Sequence, residues 1–202
     1  FKKTDIILIK TSPLLDLQSG ISELQFVTEI HIIAVNNEVK ELLWFLKKGD
    51  NQEMKITTLN FTKKGVEKFE GILDKLTGEV AYSLPKNFLY EPNAAIMKSG
   101  LFKEIALQTQ TSKLHTNSHL YTSEKEINFP GRKFKILEIE KYKPGLLKKK
   151  FKNLKANITT RNFPESVVIL RKKLKIKDGG KTYLFFTTNI NNQKIVLVCE
   201  KV

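Results

Sequence analysis

The stretch that decides the fold begins with FKILEIE at residues 134–140 and continues with PGLLKKKFKNL at residues 144–154. The first part alternates apolar and charged residues, which is typical of a β-strand with one buried face. In the second part Pro144 stands where a helix would begin, and Leu147, Phe151 and Leu154 fall on one helical face. The sequence therefore predicts a strand followed by an amphipathic helix.

The same pattern repeats once and then closes with two strands. Residues 156–161 predict a second strand, and Pro164 opens a second helix in which Val167, Leu170 and Leu174 recur at helical spacing. Two further strands are predicted at residues 182–188 and 194–199. The order βαβαββ predicts a compact α+β domain with both helices on one face of a small sheet.

This predicted domain also carries the whole net charge of the chain. Residues 130–202 contain 19 lysines and arginines but only five aspartates and glutamates, while residues 1–129 contain 16 of each sign. Together they give the formal net charge of +14. An excess of this size on one part of a chain indicates a polyanionic partner, and nucleic acid is the commonest one.

The N-terminal part reads as strand, helix, strand and a further strand. A short apolar strand at residues 6–10 precedes Pro13 and a helix, and a strand at residues 30–35 follows. Asn36 and Asn37 tolerate positive φ, so a tight hairpin leading into a strand at residues 38–47 is the preferred interpretation. A helix at residues 38–47 is the alternative.

The middle segment has a weaker pattern. Strands are predicted at residues 54–61 and 79–83, and a helix at residues 93–108 has Gly100 as its weak point. Between the two strands an amphipathic helix is predicted from apolar residues at helical spacing, namely Val66, Phe69, Ile72, Leu73 and Leu76.

Several phrases of this chain resemble those of a family of bacterial class I S-adenosylmethionine-dependent methyltransferases with a THUMP-like domain at the C-terminus. Two resemble the closing part of the methyltransferase domain, IKTSPLLD at 9–16 and VNNEVKELL at 35–43. The others follow in the order of the family: YEPNAAI at 90–96, LHTNSHLYTS at 114–123, FPGR at 129–132, KANITTRNFP at 155–164 and LRKKL at 170–174.

The resemblance implies three parts of an α+β protein. Residues 1–47 would be the closing strands of a Rossmann-like methyltransferase sheet, an incomplete domain. Residues 48–130 would form a ferredoxin-like α+β domain, and residues 131–202 a basic THUMP-like domain. By analogy with true THUMP domains, it also implies RNA, either tRNA or rRNA, as the substrate, and a missing N-terminal methyltransferase domain as a partner.

The motifs that hold the methyltransferase cofactor are not found in the sequence. A cofactor site of this class needs a glycine-rich turn after a strand and an acidic residue for the ribose. The glycines here are isolated, except for Gly179 and Gly180, for which the sequence predicts a turn after Asp178. We therefore expect no cofactor in these 202 residues, no activity of this part alone, and S-adenosylmethionine bound by a longer parent protein.

Two histidines, His115 and His119, have the spacing of a metal pair on a helix. Their Thr, Asn and Ser neighbours do not favour a helix, and no third ligand lies nearby in sequence. Hydrogen bonding in a loop is the preferred interpretation.

Basic residues opposite the apolar stripes of the two predicted helices are the candidate RNA contacts, with two arginines from the family phrases. The full set is Arg132, Lys148, Lys149, Lys152, Lys155, Arg161, Arg171, Lys172 and Lys173. Arg132 and Arg161 could instead be fixed structural arginines. One of the adjacent pair Phe185 and Phe186 could lie on an open sheet face and stack on a base.

The sequence is compatible with two functions. The chain could be the RNA-binding region that presents substrate to a methyltransferase, or a structural or protein-interaction module with a basic surface. The single cysteine and the lack of a long apolar segment favour the cytoplasm. The strand at residues 6–10 would expose a sheet edge, through which copies of the chain could associate.

Overall fold

The computed structural model describes residues 1, 3–50, 52–72 and 78–202. Two compact units divide the chain: residues 1–79 with 92–105, and residues 80–91 with 106–202. None of the helices in the described ranges is long and apolar enough to cross a membrane.

The first unit is built on a five-stranded sheet. Its strands are β1 (Ile6–Thr11), β2 (Val27–Val35), β3 (Glu38–Lys47), β4 (Lys55–Thr62) and β5 (Gly65–Ile72), in the order β1-β3-β2-β4-β5. Helix α1 (Leu17–Glu23) connects β1 to β2, and α2 (Ala94–Ser99) packs against β2, β3 and β4. β3 is antiparallel to both β1 and β2, so β1 and β2 run in the same direction on either side of it, and the predicted strand–helix–strand–strand order is present.

The hairpin between β2 and β3 is the one predicted from the paired asparagines. Asn36 and Asn37 have φ values of 49° and 66°, which match a two-residue hairpin turn. The Asn37 amide oxygen also accepts a hydrogen bond from the Ala94 N–H at 2.7 Å. Residues 38–47 are therefore a strand, and the alternative helix is excluded.

The prediction of a helix after β4 is wrong for residues 65–72, the part of that segment that the structure describes. Residues 65–72 form β5, which pairs antiparallel with β4, and Val66 is exposed. Gly71 suits this strand because a Cβ atom there would lie 2.9 Å from Leu101. The remaining apolar positions of that prediction, Leu73 and Leu76, lie outside the described residues.

The sheet also extends past the boundary predicted between residues 47 and 48. β4 pairs in parallel with β2 along seven residues, and β5 then pairs with β4. The predicted boundary therefore falls inside one hydrogen-bonded sheet, because the strands at 55–62 and 65–72 belong to the same sheet as the strands within residues 6–47.

The second unit is built on a seven-stranded sheet with the order β10-β11-β12-β9-β6-β8-β7. Its strands are β6 (Phe88–Pro92), β7 (Ser112–Lys113), β8 (Tyr121–Ser123), β9 (Gly131–Lys141), β10 (Lys155–Arg161), β11 (Lys177–Thr188) and β12 (Lys194–Lys201). Helices α4 (Pro144–Phe151) and α5 (Val167–Leu174) connect β9, β10 and β11. The predicted βαβαββ order is confirmed.

Two predictions for residues 79–109 are modified. The strand predicted at residues 79–83 is reduced to an isolated bridge between Tyr82 and Lys113. The helix predicted at residues 93–108 is divided into α2 and α3 (Phe102–Thr109) by Gly100, whose φ of 75° is left-handed.

Trp44 and Gly20 hold α1 against the first sheet. Trp44 is fully buried, its indole N–H donates to Thr11 Oγ1 at 2.8 Å, and a Cβ atom on Gly20 would stand 2.6 Å from Trp44 Cζ2. Only a glycine lets α1 approach this ring so closely.

We therefore expect Gly20→Ala to lower the free energy of unfolding by about 1–3 kcal/mol through overpacking. Urea denaturation followed by Trp44 fluorescence measures this. Gln18→Ala, on the exposed side of the same helix, is the control and should change stability by less than about 0.5 kcal/mol. Equal effects of the two substitutions would contradict the close packing.

Candidate nucleic-acid interface

The nine predicted contact residues separate into two groups. Within the described residues no ion pair involves the five lysines that we call the lysine face: Lys148, Lys149, Lys152, Lys155 and Lys172. The other four residues, Arg132, Arg161, Arg171 and Lys173, are engaged within the protein.

Helix α4 carries most of the lysine face. Its Leu147 and Phe151 are buried against the sheet, which turns Lys148 and Lys149 outward into solvent. Lys152 caps the helix, where its backbone N–H donates to the Lys148 carbonyl at 3.1 Å. The predicted separation of apolar and basic faces is therefore present.

Helix α5 and the start of β10 supply the rest. Leu170 and Leu174 of α5 are buried, and Lys172 is exposed. The segments that follow the two helices are hydrogen-bonded to each other, from Asn153 N to Lys175 O at 2.9 Å and from Lys177 N to Leu154 O at 2.8 Å. The lysines therefore gather where both helices end.

Sequence reasoning missed three exposed lysines at this same end: Lys175, Lys177 and Lys181. They lie beyond the last apolar residue of the predicted helix, so helical periodicity could not place them. The excess of positive charge after residue 130 was the only signal that included them.

Arg171 and Lys173, two of the predicted RNA contacts on α5, form ion pairs within the domain. Arg171 pairs with Asp178 and donates to the Ala156 carbonyl at 3.1 Å. Lys173 pairs with Glu165 at 3.0 Å, which raises the pKa of its ammonium group. Their neighbour Lys150 on α4 likewise contacts Glu138 and Glu140.

Arg132 and Arg161 bind the same buried carboxylate. Glu91 in β6 is only 4% exposed; Arg132 Nε donates to its Oε2 at 2.6 Å, and Arg161 Nε donates to its Oε1 at 2.9 Å. Arg132 also lies 5.5 Å from the centre of the Phe134 ring. Of the two roles open to these arginines, the geometry favours the structural one.

The ion pair between Arg161 and Glu91 shows that the second sheet is curved. β10 and β6 are four positions apart in the strand order, and adjacent strands lie about 4.8 Å apart, so a flat sheet would separate them by about 19 Å. Arg161 in β10 nevertheless reaches Glu91 in β6 at 2.7 Å. The sheet must therefore curl around the side chains on that face.

The curled face encloses one of the predicted stacking residues. Phe185 is fully buried with Leu89, Leu114, Leu120 and Phe134, whereas Phe186 packs beneath the helices. Neither ring lies on an open sheet face, so the expectation of a base-stacking position at this pair is wrong. Residues of the segment before β9 cover the face that the helices leave free.

The two histidines lie in a loop, as preferred from the sequence. His115 Nε2 is 3.1 Å from Asn192 Oδ1, and burial with nearby Lys113 and Arg161 lowers the pKa of His119 to about 4. In the part of the chain that the structure describes, no three His, Cys, Asp or Glu residues are grouped as metal ligands.

The adjacent glycines do not fit a phosphate-binding loop. Gly179 and Gly180 lie within β11, where the pairing with β10 shifts register between Lys155 and Ala156. The turn predicted here is instead an irregularity of the strand, and a Cβ on Gly180 would stand 2.7 Å from the Lys155 carbonyl oxygen. Gly179 and Gly180 therefore do not have the strand–turn–helix arrangement of a phosphate-binding loop.

The buried carboxylate gives a stability prediction. Glu91→Gln keeps the shape of the side chain but faces two guanidinium groups with an amide. Because both arginines are about one-third exposed and water can reach them, we expect a loss of about 2 kcal/mol, less than for a fully buried pair.

Chemical denaturation followed by circular dichroism measures the loss. Glu126→Gln, which removes a more exposed ion pair with Lys133, is the control and should cost less than about 1 kcal/mol. If Glu91→Gln is as stable as the control, the carboxylate does not hold the curled sheet.

Comparisons with known proteins agree with this architecture. Residues 88–130 match a family described as a ferredoxin-like domain, and residues 131–201 match one described as THUMP domain-like. The crystal structure of a "putative methyltransferase" from Porphyromonas gingivalis W83 superposes with a TM-score of 0.91 at 35% sequence identity. It covers 98% of this chain, and the chain spans about half (51%) of that protein. The comparison with curated proteins gave no match.

The resemblance found in the sequence is therefore confirmed: the chain is an α+β protein with a ferredoxin-like domain and a THUMP-like domain, and 98% of it is similar to part of a protein described as a putative methyltransferase.

Proposed function

We propose that this chain binds RNA through the lysine face of its THUMP-like domain and presents that RNA to the catalytic half of an S-adenosylmethionine-dependent methyltransferase. The observation that carries the proposal is the group of five exposed lysines, where α4 and α5 end, that form no ion pair with any described residue. A lysine without a carboxylate partner can contact a phosphate without first giving up an internal ion pair. Release of the condensed counterions then favours binding.

The likeness to the Porphyromonas gingivalis protein supports the methyltransferase part of the proposal. β1 is an edge strand in the five-stranded sheet, and Ile6 and Leu8 are exposed on it. We propose that in the parent protein the catalytic half continues the sheet at this edge, binds S-adenosylmethionine and acts in the cytoplasm. The RNA would be tRNA or rRNA.

If the lysine face contacts phosphates, the affinity for RNA should depend on salt concentration. Replacing Lys148 and Lys149 with glutamine should weaken binding to folded RNA and reduce the slope of log K against log salt concentration by about one to two units. The reduction should be the same whatever the RNA sequence, because phosphates carry no sequence information. Filter binding at several salt concentrations provides both numbers.

A matched control lies in the first unit. Lys63 and Lys64 are adjacent, exposed and in the β4–β5 turn, so their double glutamine variant removes the same charge elsewhere. This variant should bind like the wild type. If both double variants reduce the slope equally, net charge and not the lysine face determines binding.

Exposed apolar side chains on the same helices support a second candidate function. Leu146 is 61% exposed, Val168 76% and Ile169 52%. Large apolar residues beside a basic surface also suit an interaction module that binds an acidic protein. Binding to acidic protein with no binding to structured RNA would favour this second function.

The cofactor gives a further prediction. Residues 1–202 alone should show no binding of S-adenosylmethionine in titration calorimetry, because the adjacent glycines lie in a strand and not in a phosphate-binding turn. The longer parent protein should bind it and serves as the control. Micromolar binding by the 202-residue chain would contradict our assignment of the first sheet.

A further inference from the structure

A polar pocket of about 310 Å³ lies at the far end of β11 from the lysine face. It is lined by Tyr82, His115, Thr116, Ile190 and Asn192. The lysines gather near the start of β10 and β11, whereas Ile190 and Asn192 belong to the turn after β11 ends at Thr188. The volume is at the small end of the range for ligand sites, which suits one flat ring system.

Tyr82 is held beside the pocket by its backbone. The segment around it pairs with β7, through hydrogen bonds from Lys113 N to Ala81 O at 2.8 Å and from Ser83 N to Lys113 O at 3.1 Å. Tyr82 is 36% exposed. The backbone at Tyr82 is therefore fixed in place while the ring is open to a ligand, and replacing the side chain should leave the fold intact.

His115 has a defined orientation. The backbone N–H of Asn117 donates to His115 Nδ1 at 3.1 Å, so Nδ1 is the acceptor in the neutral ring. Nε2 then carries the hydrogen and donates to Asn192 Oδ1 at 3.1 Å. The Asn162 amide is also 3.0 Å from Nδ1. The imidazole ring is thus held by three asparagines.

These contacts leave the side-chain amide of Asn192 available as a donor in the pocket. Because Asn192 Oδ1 accepts from His115, its amide nitrogen points elsewhere, and among the described residues it has no hydrogen-bond partner. The pocket therefore combines two aromatic rings, the aliphatic Ile190 and one free N–H₂ group. A planar aromatic ligand with an acceptor on its edge has the complementary chemistry.

We propose that this pocket binds one unstacked base of RNA, with the base against Tyr82 and an acceptor on its edge toward the Asn192 amide. The inference rests on the proposed RNA binding and adds a second kind of contact to it. The lysine face holds phosphates without regard to sequence, whereas the pocket takes a base, as aromatic residues do in proteins that bind single-stranded RNA.

Filter binding of single-stranded RNA by Tyr82 variants tests the pocket. Tyr82→Leu should weaken binding about tenfold, the loss expected for one stacked base. The salt slope should not change, because Tyr82 carries no charge. Tyr82→Phe keeps the ring and is the matched control, which should bind like the wild type.

Photocrosslinking supplies an independent measurement on the wild-type protein. Irradiation of a complex with 5-bromouridine-substituted RNA should give an adduct at Tyr82 or His115, identified by mass spectrometry. Wild-type affinity of Tyr82→Leu, or crosslinks confined to α4 and α5, would overturn the pocket and leave the proposed function standing. Failure of the wild-type protein to bind any RNA would overturn both.

Discussion

The second sheet depends on the contact of one buried carboxylate with two arginines. Glu91 in β6 is bound by Arg132 from β9 and by Arg161 from β10, although β6 and β10 are separated by three strands. Only a curled sheet brings these strands within reach. The curled face then encloses an apolar core that includes Leu89, Leu114, Leu120, Phe134 and Phe185. The contact thus joins the segment before β9 to the THUMP-like domain, and both arginines are used in it.

Because the arginines form internal ion pairs, lysines are the positively charged side chains that remain available to a binding partner. Arginine forms paired contacts with carboxylates and with phosphates, so an arginine engaged with a carboxylate is not available to a phosphate, whereas an exposed lysine can contact phosphate as a point charge. The domain uses Arg132, Arg161 and Arg171 internally and leaves lysines exposed where its two helices end. Aromatic residues of the second unit show the same division: Phe185 and Phe186 belong to the core, whereas Tyr82 is exposed. Internal contacts and the proposed RNA contacts therefore involve different residues.

Local patterns predicted much of this fold. The asparagine pair at 36 and 37 predicted the hairpin, and alternation with helical spacing predicted the βαβαββ order. The pattern failed at residues 65–72, because Val66, Phe69 and Ile72 have helical spacing, yet pairing with β4 makes them a strand. The roles of Arg132 and Arg161 could not be read from sequence, since their shared partner Glu91 is 41 and 70 residues away. The pocket of Tyr82, His115 and Asn192 likewise joins three segments that are far apart in sequence.

The salt dependence of RNA binding by the wild-type protein tests the central claim most directly. If all five residues of the lysine face contact phosphates, the slope of log K against log salt concentration should be about −3.5 to −4.5. A folded RNA titrated across a tenfold range of salt gives the slope without any substitution. A slope near zero, or the absence of RNA binding at low salt, would contradict the account.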